Sequence, residues 1–160
     1  MTSFRDLHRR GDPFILANAG DAGSAKVLKS MGAQAIATSS AAHAFTLGRP
    51  DGLGVTRDEA LAHAQDLIAA TGLPVQGDFE NGWGDDLDTV AETVTLAGKA
   101  GLARICIEDI KLPSPDACDR AFAIERIKAA TAAARALPND FVLTARADGI
   151  MTGVYDIDEA

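Results

Sequence analysis

Short apolar runs alternate with amphipathic segments along the whole chain. The strand-like runs cover residues 14–18, 35–38, 73–79, 104–108 and 140–146. Each run is followed by a segment with helical periodicity. Strands that alternate with helices at this spacing predict a parallel sheet covered by helices.

The predicted helices have recognisable ends. Asp21 is placed to cap a helix over residues 22–31, and the Thr56-Arg-Asp-Glu59 segment is a capping box at the start of another. A third helix follows Asp86 and ends before Gly101, and a fourth covers about residues 119–136 before Pro138. The last residues, 156–160, look like the start of a further helix.

Two architectures fit this pattern: an open, doubly wound sheet of five strands, and part of a (β/α)8 TIM barrel, which typically needs about 250 residues. Length favours the open sheet. However, polar segments follow nearly every strand, at residues 18–21, 38–40, 78–80, 108–109 and 146–148. Because a barrel collects side chains from many strand ends on one face, this distribution favours an incomplete barrel of about five βα units, with residues 1–160 as one domain.

The composition of the chain argues against several classes of function. The chain has 160 residues, 47% of them hydrophobic, and a net charge of −8, which argues against a nucleic-acid partner. No apolar run approaches the roughly 20 residues of a membrane span and the N-terminus lacks a signal-peptide core, so a cytoplasmic protein without a membrane partner is expected. The two cysteines, Cys106 and Cys118, have no zinc or redox spacing.

Carboxylates at the ends of two predicted strands are the clearest indication of a functional site. Asp78 and Glu80 are two residues apart in an extended segment and so share one face, and Glu108 with Asp109 stands at the same place after the next strand. Like charges brought together repel unless a cation lies between them or one is protonated. Oxygen ligands of this kind favour Mg²⁺, with Mn²⁺ as the alternative ion.

Other polar residues allow two interpretations each. Arg146 follows an apolar strand and is either an ion-pair partner of Glu108 or Asp148, or a clamp for a substrate carboxylate. Ser39 and Ser40 either satisfy backbone groups at a strand end or hold an anionic substrate. Among the histidines, His8 and His63 are expected at the surface, whereas His43 follows the serine pair closely and is a weaker substrate-contact candidate.

Six segments in order resemble the isocitrate lyase and phosphoenolpyruvate mutase superfamily. They are Asn18-Ala-Gly-Asp-Ala-Gly-Ser-Ala25, Thr38-Ser-Ser-Ala41, Leu47-Gly-Arg-Pro-Asp-Gly52, Gly77-Asp-Phe-Glu-Asn-Gly-Trp-Gly84, Ile107-Glu-Asp109 and Ala145-Arg-Ala-Asp148. The resemblance implies an Mg²⁺-dependent (β/α)8 barrel that makes or breaks C–C or C–P bonds beside a small 2-oxo acid, through an enolate. It also implies a homo-oligomer and no organic cofactor.

The resemblance also assigns roles to residues. Asp78 would be the principal metal ligand, and Asp51, Glu80 and Glu108 would hold the ion largely through water. Arg146 and Glu108 would be the catalytic residues, with Arg146 on the oxo or carboxylate oxygens of the substrate. The substrate carboxylate would bind at Ser39 or Ser40, and Trp83 and Gly84 would form the turn beside it.

Two departures from the superfamily pattern leave alternatives open. Where isocitrate and methylisocitrate lyases carry a Lys-(Lys/Arg)-Cys-Gly-His segment, this chain reads Ile110-Lys-Leu-Pro-Ser-Pro-Asp-Ala-Cys118. Cys118 lacks the basic neighbours that would lower a thiol pKa. The pattern of later strands is also absent, which suggests a truncated barrel. A C–C lyase is therefore the first hypothesis, a phosphonomutase or phosphonopyruvate hydrolase the second, and an inactive fragment the third.

Overall fold

A computed structural model describes residues 3–52, 54–114 and 116–160 of the chain. Its strands are β1 (Ala17–Asn18), β2 (Ile36–Ala37), β3 (Val75–Asp78), β4 (Arg104–Glu108) and β5 (Val142–Arg146). Its helices are α1 (Ala22–Ser30), α2 (Ser40–Thr46), α3 (Arg57–Thr71), α4 (Leu87–Lys99), α5 (Arg120–Ala136) and α6 (Gly149–Thr152), preceded by a short 3-10 helix at Arg5–Leu7.

The strand order separates the two predicted architectures. All neighbouring strands pair in parallel, and the order in the sheet is β1-β2-β3-β4-β5. A doubly wound sheet reverses its strand order at a switch point, whereas a barrel adds each strand beside the last. The described residues therefore form five successive βα units of an incomplete TIM-type barrel, which confirms the predicted fold class.

The helix ends follow the predicted capping chemistry. Asp21 accepts a hydrogen bond from the Ser24 amide at the start of α1, and Thr56 and Glu59 form a reciprocal capping box at the start of α3. Asp86 caps α4 and Asp119 caps α5 in the same way. These bonds satisfy amides that have no partner within the helix, so each helix begins at a defined residue.

Several predicted boundaries were wrong. The first two strands are shorter than predicted, because a strand extends only as far as its neighbour pairs with it, and β1 and β2 pair over two residues. The serine segment continues into α2, which is too short to show a periodic pattern. Residues 156–160 form a turn rather than a helix.

The core lies between the sheet and its helices. Val90, Val94 and Ala97 of α4 are fully buried against the outer face of the sheet, together with Ile105 and Ile107 of β4. The apolar positions of β4 therefore point outward, and Cys106 and Glu108, which alternate with them, point to the inner face. None of the helices in the described residues is both long and apolar enough to cross a membrane.

Candidate functional site

The register of the sheet brings the predicted polar residues together at the carboxyl ends of the strands. Asp78 at the end of β3 lies beside Cys106 of β4, and Glu108 at the end of β4 lies beside Arg146 of β5. Because parallel strands end on the same edge of a sheet, residues from three separate segments meet there. Sequence reasoning predicted this convergence and, as one of two interpretations, the pairing of Arg146 with Glu108 or Asp148, but not the other contacts.

Arg146 forms the centre of an acidic cluster. Its Nη1 atom lies 2.8 Å from Glu108 Oε1 and 3.0 Å from Asp78 Oδ1, and its Nη2 atom lies 2.8 Å from Asp148 Oδ2. About a third of the Arg146 side chain, 34%, is exposed. Arg146 is thus an ion-pair partner of Glu108 and Asp148, as one of the two interpretations held, and it contacts Asp78 as well. Its exposed part faces solvent and remains accessible to a ligand.

Asp78 is held on both of its oxygens. Ser40 donates to Oδ2 from its backbone amide and from its hydroxyl, each at 3.0 Å, and the Cys106 thiol donates to Oδ1 at 3.3 Å. The backbone amide of Asp78 donates to Thr38 Oγ1 at 2.8 Å. These bonds come from two neighbouring strand ends, so the Asp78 carboxylate has one fixed orientation.

The two serines have different local roles. Ser40 is bonded to Asp78, whereas Ser39 caps α2 by accepting a hydrogen bond from the Ala42 amide at 3.3 Å. Ser39 accepts through its oxygen, and its hydroxyl hydrogen can still be donated to a ligand. The geometry therefore distinguishes the two residues where the sequence could not.

Glu80 and Glu108 are buried carboxyls, each 7% exposed. Burial, with the charges of Asp51 and Asp78, raises the pKa of Glu80 to about 7. Burial raises the pKa of Glu108 to about 8, because desolvation and the neighbouring acids outweigh the favourable Arg146 charge. Both groups release a proton more readily if a cation is placed among them.

Asp51 is exposed in the turn after α2. Its charge contributes to the raised pKa of Glu80, which indicates that the two carboxylates are near each other. Within residues 3–52, 54–114 and 116–160, no three His, Cys, Asp or Glu side chains are close enough together to ligate one metal ion directly. The predicted ligands therefore share one region without forming a complete direct coordination shell.

Trp83 and Gly84 lie in the loop after β3. The Trp83 indole donates from Nε1 to the Val55 carbonyl at 3.0 Å and packs edge-on against Phe79. Trp83 lines a narrow cleft together with Ser39, Ser40, Asp78 and Glu80. The Gly84 carbonyl instead points inward, toward Arg126. Trp83 is thus placed to contact a ligand, and Gly84 shapes the turn behind it.

A hydrogen-bond network fixes the segment after β5. The Tyr155 hydroxyl donates to Asp109 Oδ2 and accepts from the Gly149 amide, and Asp109 Oδ1 accepts from the Asp148 amide at 2.8 Å. Asp148, which pairs with Arg146, is held in place by these contacts. Sequence reasoning missed Tyr155, because nothing in its local sequence links it to Asp109.

The expectation that His63 is a surface residue was wrong. His63 is 9% exposed, its Nε2 atom lies 3.0 Å from the Gly20 carbonyl, and its ring stacks on His43 with 3.8 Å between centroids. Neither ring nitrogen of His43 has a hydrogen-bond partner among the described residues. Both histidines line the same cleft as Ser39 and Asp78. The periodicity of a helix does not show which residues of other segments its histidine contacts, so the burial of His63 could not be predicted.

The stacked histidines should make folding sensitive to acid. Burial lowers the pKa of both His43 and His63 below the usual 6.5. Below pH 6.5 the unfolded chain takes up protons at these two histidines that the folded chain resists, so their contribution to the free energy of unfolding should fall as the pH falls from 7 to 5. Glu80 and Glu108, whose pKa values are raised, contribute in the opposite direction over the same range, so the histidine contribution is measured as a difference between variants. We expect His43→Phe, which keeps a stacking ring, to remove the part of this pH dependence that His43 causes. In urea unfolding at several pH values, the number of protons taken up on unfolding, obtained from the slope of the free energy of unfolding against pH, should decrease by less than about one. The same substitution at the exposed His8 is the control, and equal slopes in the two variants would contradict the expectation.

A wider groove of about 790 Å³ lies beside the acidic cluster, between α5 and the end of β5. Glu108 and Arg146 contribute to its lining, and about half of the lining residues belong to α5, including Ile124, Ile127 and Thr131. The narrow cleft is lined instead by the Ser39 and Ser40 hydroxyls, the two imidazoles, and the Asp78 and Glu80 carboxylates. Arg146 joins this cleft to the groove by pairing with both Asp78 and Glu108, so we place the candidate site at the cleft and the adjoining ends of β4 and β5.

Five parallel strands in sequential order, with polar side chains gathered at their carboxyl ends, are the arrangement of a (β/α)-barrel enzyme. Comparison with known families agrees with that class. The phosphoenolpyruvate phosphomutase family matches residues 4–160. The chain belongs to this family, within the isocitrate lyase and phosphoenolpyruvate mutase superfamily.

Lyases and mutases are among the relatives. A 2,3-dimethylmalate lyase of Eubacterium barkeri is 34% identical over 98% of this chain and 55% of its own length. A crystal structure from Burkholderia cenocepacia J2315, described only as a lyase/mutase, superposes with a TM-score of 0.93 at 47% identity, covering 98% of this chain and 57% of that one. A phosphoenolpyruvate phosphomutase from Streptomyces platensis subsp. rosaceus superposes with a TM-score of 0.85 at 27% identity, covering 97% and 55%. The chain thus spans about half the length of these relatives.

Proposed function

We propose that this chain belongs to an Mg²⁺-dependent lyase that cleaves a carbon–carbon bond beside the oxo group of a small, oxaloacetate-like or 2-methylisocitrate-like acid. One observation carries the proposal: a single guanidinium, that of Arg146, lies among Asp78, Glu108 and Asp148 at the strand ends. Such a cluster repels an anionic substrate unless a cation joins it. The lyase activity of relatives such as 2,3-dimethylmalate lyase supports the same reaction class.

A divalent cation fits the chemistry of the donor set. The acids near Asp78 outnumber the one guanidinium, and burial and mutual repulsion keep Glu80 and Glu108 partly protonated near neutral pH. Mg²⁺ commonly binds one or two carboxylates directly and keeps several waters. We propose Asp78 as the direct ligand, with Asp51, Glu80 and Glu108 acting through water. Mn²⁺ has the same preference for oxygen and is expected to substitute.

The residues of the cleft and of the adjoining strand ends would have separate roles in binding and catalysis. Arg146 would donate to the oxo oxygen of the substrate and stabilise the negative charge that develops there as the bond breaks and an enolate forms. The Ser39 hydroxyl would bind the substrate carboxylate, and Trp83 and Gly84 would close the turn beside it. Glu108, whose pKa is raised, can hold a proton on its carboxyl and release it as charge rearranges. The bound ion would supply Lewis-acid polarisation of the substrate carbonyl.

Pyruvate release from oxaloacetate tests the proposal. We expect Mg²⁺-dependent pyruvate formation, followed through coupled NADH oxidation by lactate dehydrogenase, that EDTA abolishes. Free Mg²⁺ also promotes oxaloacetate decarboxylation, so the Asp78→Asn variant at equal Mg²⁺ is the matched control. A rate equal to that control, together with no Mg²⁺ binding by calorimetry, would exclude the lyase and favour a fragment without activity of its own.

Carbon–phosphorus chemistry is the second candidate function. It is favoured by the resemblance to the Streptomyces phosphoenolpyruvate phosphomutase over 97% of this chain. The same metal ligands and the same arginine would serve it, so the residues alone do not separate the two reactions. Release of inorganic phosphate or formation of phosphoenolpyruvate from phosphonopyruvate, without pyruvate formation from oxaloacetate, would identify this activity.

The assembly of the protein is a further part of the proposal. We propose that residues 1–160 form one domain, the N-terminal part of a TIM barrel, that acts in the cytoplasm as a homo-oligomer. In the described sheet β1 and β5 are the outer strands, and outer strands present backbone groups that can pair with another chain. Size-exclusion chromatography with light scattering measures the oligomeric state, and a strictly monomeric protein would contradict this part.

A further inference from the structure

Arg126 is a buried arginine that the site chemistry above does not use. It lies on α5, is 1% exposed, and occupies the first position of the buried stripe Arg126, Ala130 and Ala134. Its Nη1 atom donates to the Glu108 carbonyl at 3.1 Å, and its Nη2 atom donates to the Gly84 carbonyl at 3.0 Å and to the Asn81 carbonyl. A single side chain therefore joins the loop after β3 to the end of β4.

The partners of Arg126 are unusual for a buried cation. Among the described residues its guanidinium has no carboxylate partner within ion-pair distance, and its hydrogen bonds go to backbone carbonyls and to the Cys118 sulfur. Burying a charge is costly, and an apolar side chain of similar volume often serves stability equally well. Stability alone is thus a weak explanation for an arginine here. The better explanation is geometric, because the planar fork of the guanidinium can bind several carbonyls at once.

The loop that Arg126 holds is conformationally strained. Glu80 and Trp83 both have positive φ angles, 47° and 61°, which residues other than glycine rarely adopt. Such conformations persist only where the surrounding structure imposes them. The Glu80 carbonyl accepts from the Glu108 amide at 2.8 Å and the Gly82 carbonyl accepts from Thr93 Oγ1 at 2.8 Å. With the two carbonyls bound by Arg126, nearly the whole loop is tied to β4, α4 and α5.

We propose that Arg126 is a positioning residue that sets the placement of the loop carrying Glu80 and Trp83 relative to the strand end carrying Glu108. It acts through backbone carbonyls and touches neither Arg146 nor Asp78 by a hydrogen bond. Its effect on the metal site rests on the proposed function, but its effect on the loop does not. Loss of the guanidinium should release the strained loop and separate the acids that are proposed to share one ion.

Trp83 provides a direct readout of this loop, because it is the only tryptophan in the chain. We expect Arg126→Met to shift the Trp83 emission to longer wavelength and to increase its quenching by acrylamide, while far-UV circular dichroism keeps the wild-type helix signal. Arg126→Lys keeps the charge but loses the fork, so it should give a smaller change in the same direction. Mg²⁺ binding measured by calorimetry should weaken by about 10–100-fold in Arg126→Met, as for residues that orient metal ligands.

Two controls separate positioning from general destabilisation. Ala130→Gly weakens α5 at the next position of the same buried stripe, and Arg135→Met removes an exposed arginine from the same helix. Both should keep the wild-type Trp83 spectrum and quenching. If Arg126→Met does not fold, the Trp83 emission and quenching of Arg126→Lys test the proposal instead. Wild-type Trp83 signals in the folded Arg126 variants, or an equal change in Ala130→Gly, would overturn the proposal. If the wild type binds no Mg²⁺, the proposed function fails, and the Trp83 measurements still decide the role of Arg126.

Discussion

Asp78→Asn is expected to abolish stabilisation by Mg²⁺ while leaving the metal-free protein about as stable as the wild type. Asp78 is one of several acids around a single guanidinium, and the repulsion among them opposes folding. Asparagine keeps the shape of the side chain and removes one negative charge. It loses about 1 kcal/mol of hydrogen bonding toward Ser40 or Arg146, and the relief of repulsion offsets this loss.

Thermal unfolding with EDTA and with Mg²⁺ measures the effect of Asp78→Asn. At an Mg²⁺ concentration 100 times the dissociation constant, binding stabilises the wild type by about 2.7 kcal/mol, which for a domain of this size raises Tm by about 5–11 °C. We expect no such rise in Asp78→Asn. Asp51→Asn is the matched control, because Asp51 is exposed and is proposed to act through water, so part of the rise should remain. An undiminished Mg²⁺ response in Asp78→Asn would remove Asp78 from the metal site.

Arg146→Gln is expected to destabilise the fold and to do so more strongly at high pH. Without the guanidinium, Asp78, Glu108 and Asp148 face one another with side chains that are only 15%, 8% and 13% exposed. Breaking a buried ion pair typically costs about 3–5 kcal/mol, and we expect about 2–3 kcal/mol here because part of the Arg146 side chain is in water.

The pH dependence of Arg146→Gln follows from the acids that remain. Loss of Arg146 raises the pKa of Glu108 further, because the guanidinium is the main favourable charge beside it. A carboxyl whose pKa is raised in the folded state loses stability as the pH rises above its unfolded value, so the cost should be small near pH 5 and largest near pH 8.5. Urea unfolding at both pH values measures this difference.

Two further variants test whether the effect of Arg146→Gln comes from the cluster. Adding Glu108→Gln to Arg146→Gln removes one of the repelling acids and should recover part of the lost stability at pH 8.5. Arg57→Gln breaks the Arg57–Glu92 pair, in which Arg57 is 24% exposed and Glu92 60% exposed. Because the Glu92 carboxylate that remains is mostly in water, we expect a cost below about 1 kcal/mol with little pH dependence. An equal, pH-independent loss of the free energy of unfolding in Arg146→Gln and Arg57→Gln would show that repulsion among the acids of the cluster does not destabilise the fold.

Local sequence predicted the elements that depend on local interactions. Strand β4 has the bounds that its apolar run predicted, and α1 and α3 begin after the predicted caps Asp21 and Thr56. Caps and short apolar runs depend on interactions over a few residues, so the local sequence is sufficient to predict them. The ends of β1 and β2 were less predictable, because they depend on how far a neighbouring strand pairs with them.

The candidate site was predicted as a set of residues, but of its contacts only the pairing of Arg146 with Glu108 or Asp148 was among the predicted alternatives. Asp78, Glu80, Glu108 and Arg146 could be singled out because charged residues directly follow apolar strands. The pairing of Arg146 with Asp78, and of Ser40 with Asp78, depends on register between strands that are far apart in the chain. Arg126 carried one weak signal, an arginine within a buried alanine stripe, and His63 carried none that separated it from a surface histidine.

By itself, the sequence determined the succession of βα units, the helix ends, and the acids and arginine placed at the strand ends, because each follows from residues close together in the chain. Only the tertiary structure decided the sequential strand order, the convergence of three acids on Arg146, the stacking of His43 on His63, and the hold of Arg126 on the loop after β3. These features join residues from separate βα units, and their geometry arises only when parallel strands align their ends and helices pack over them.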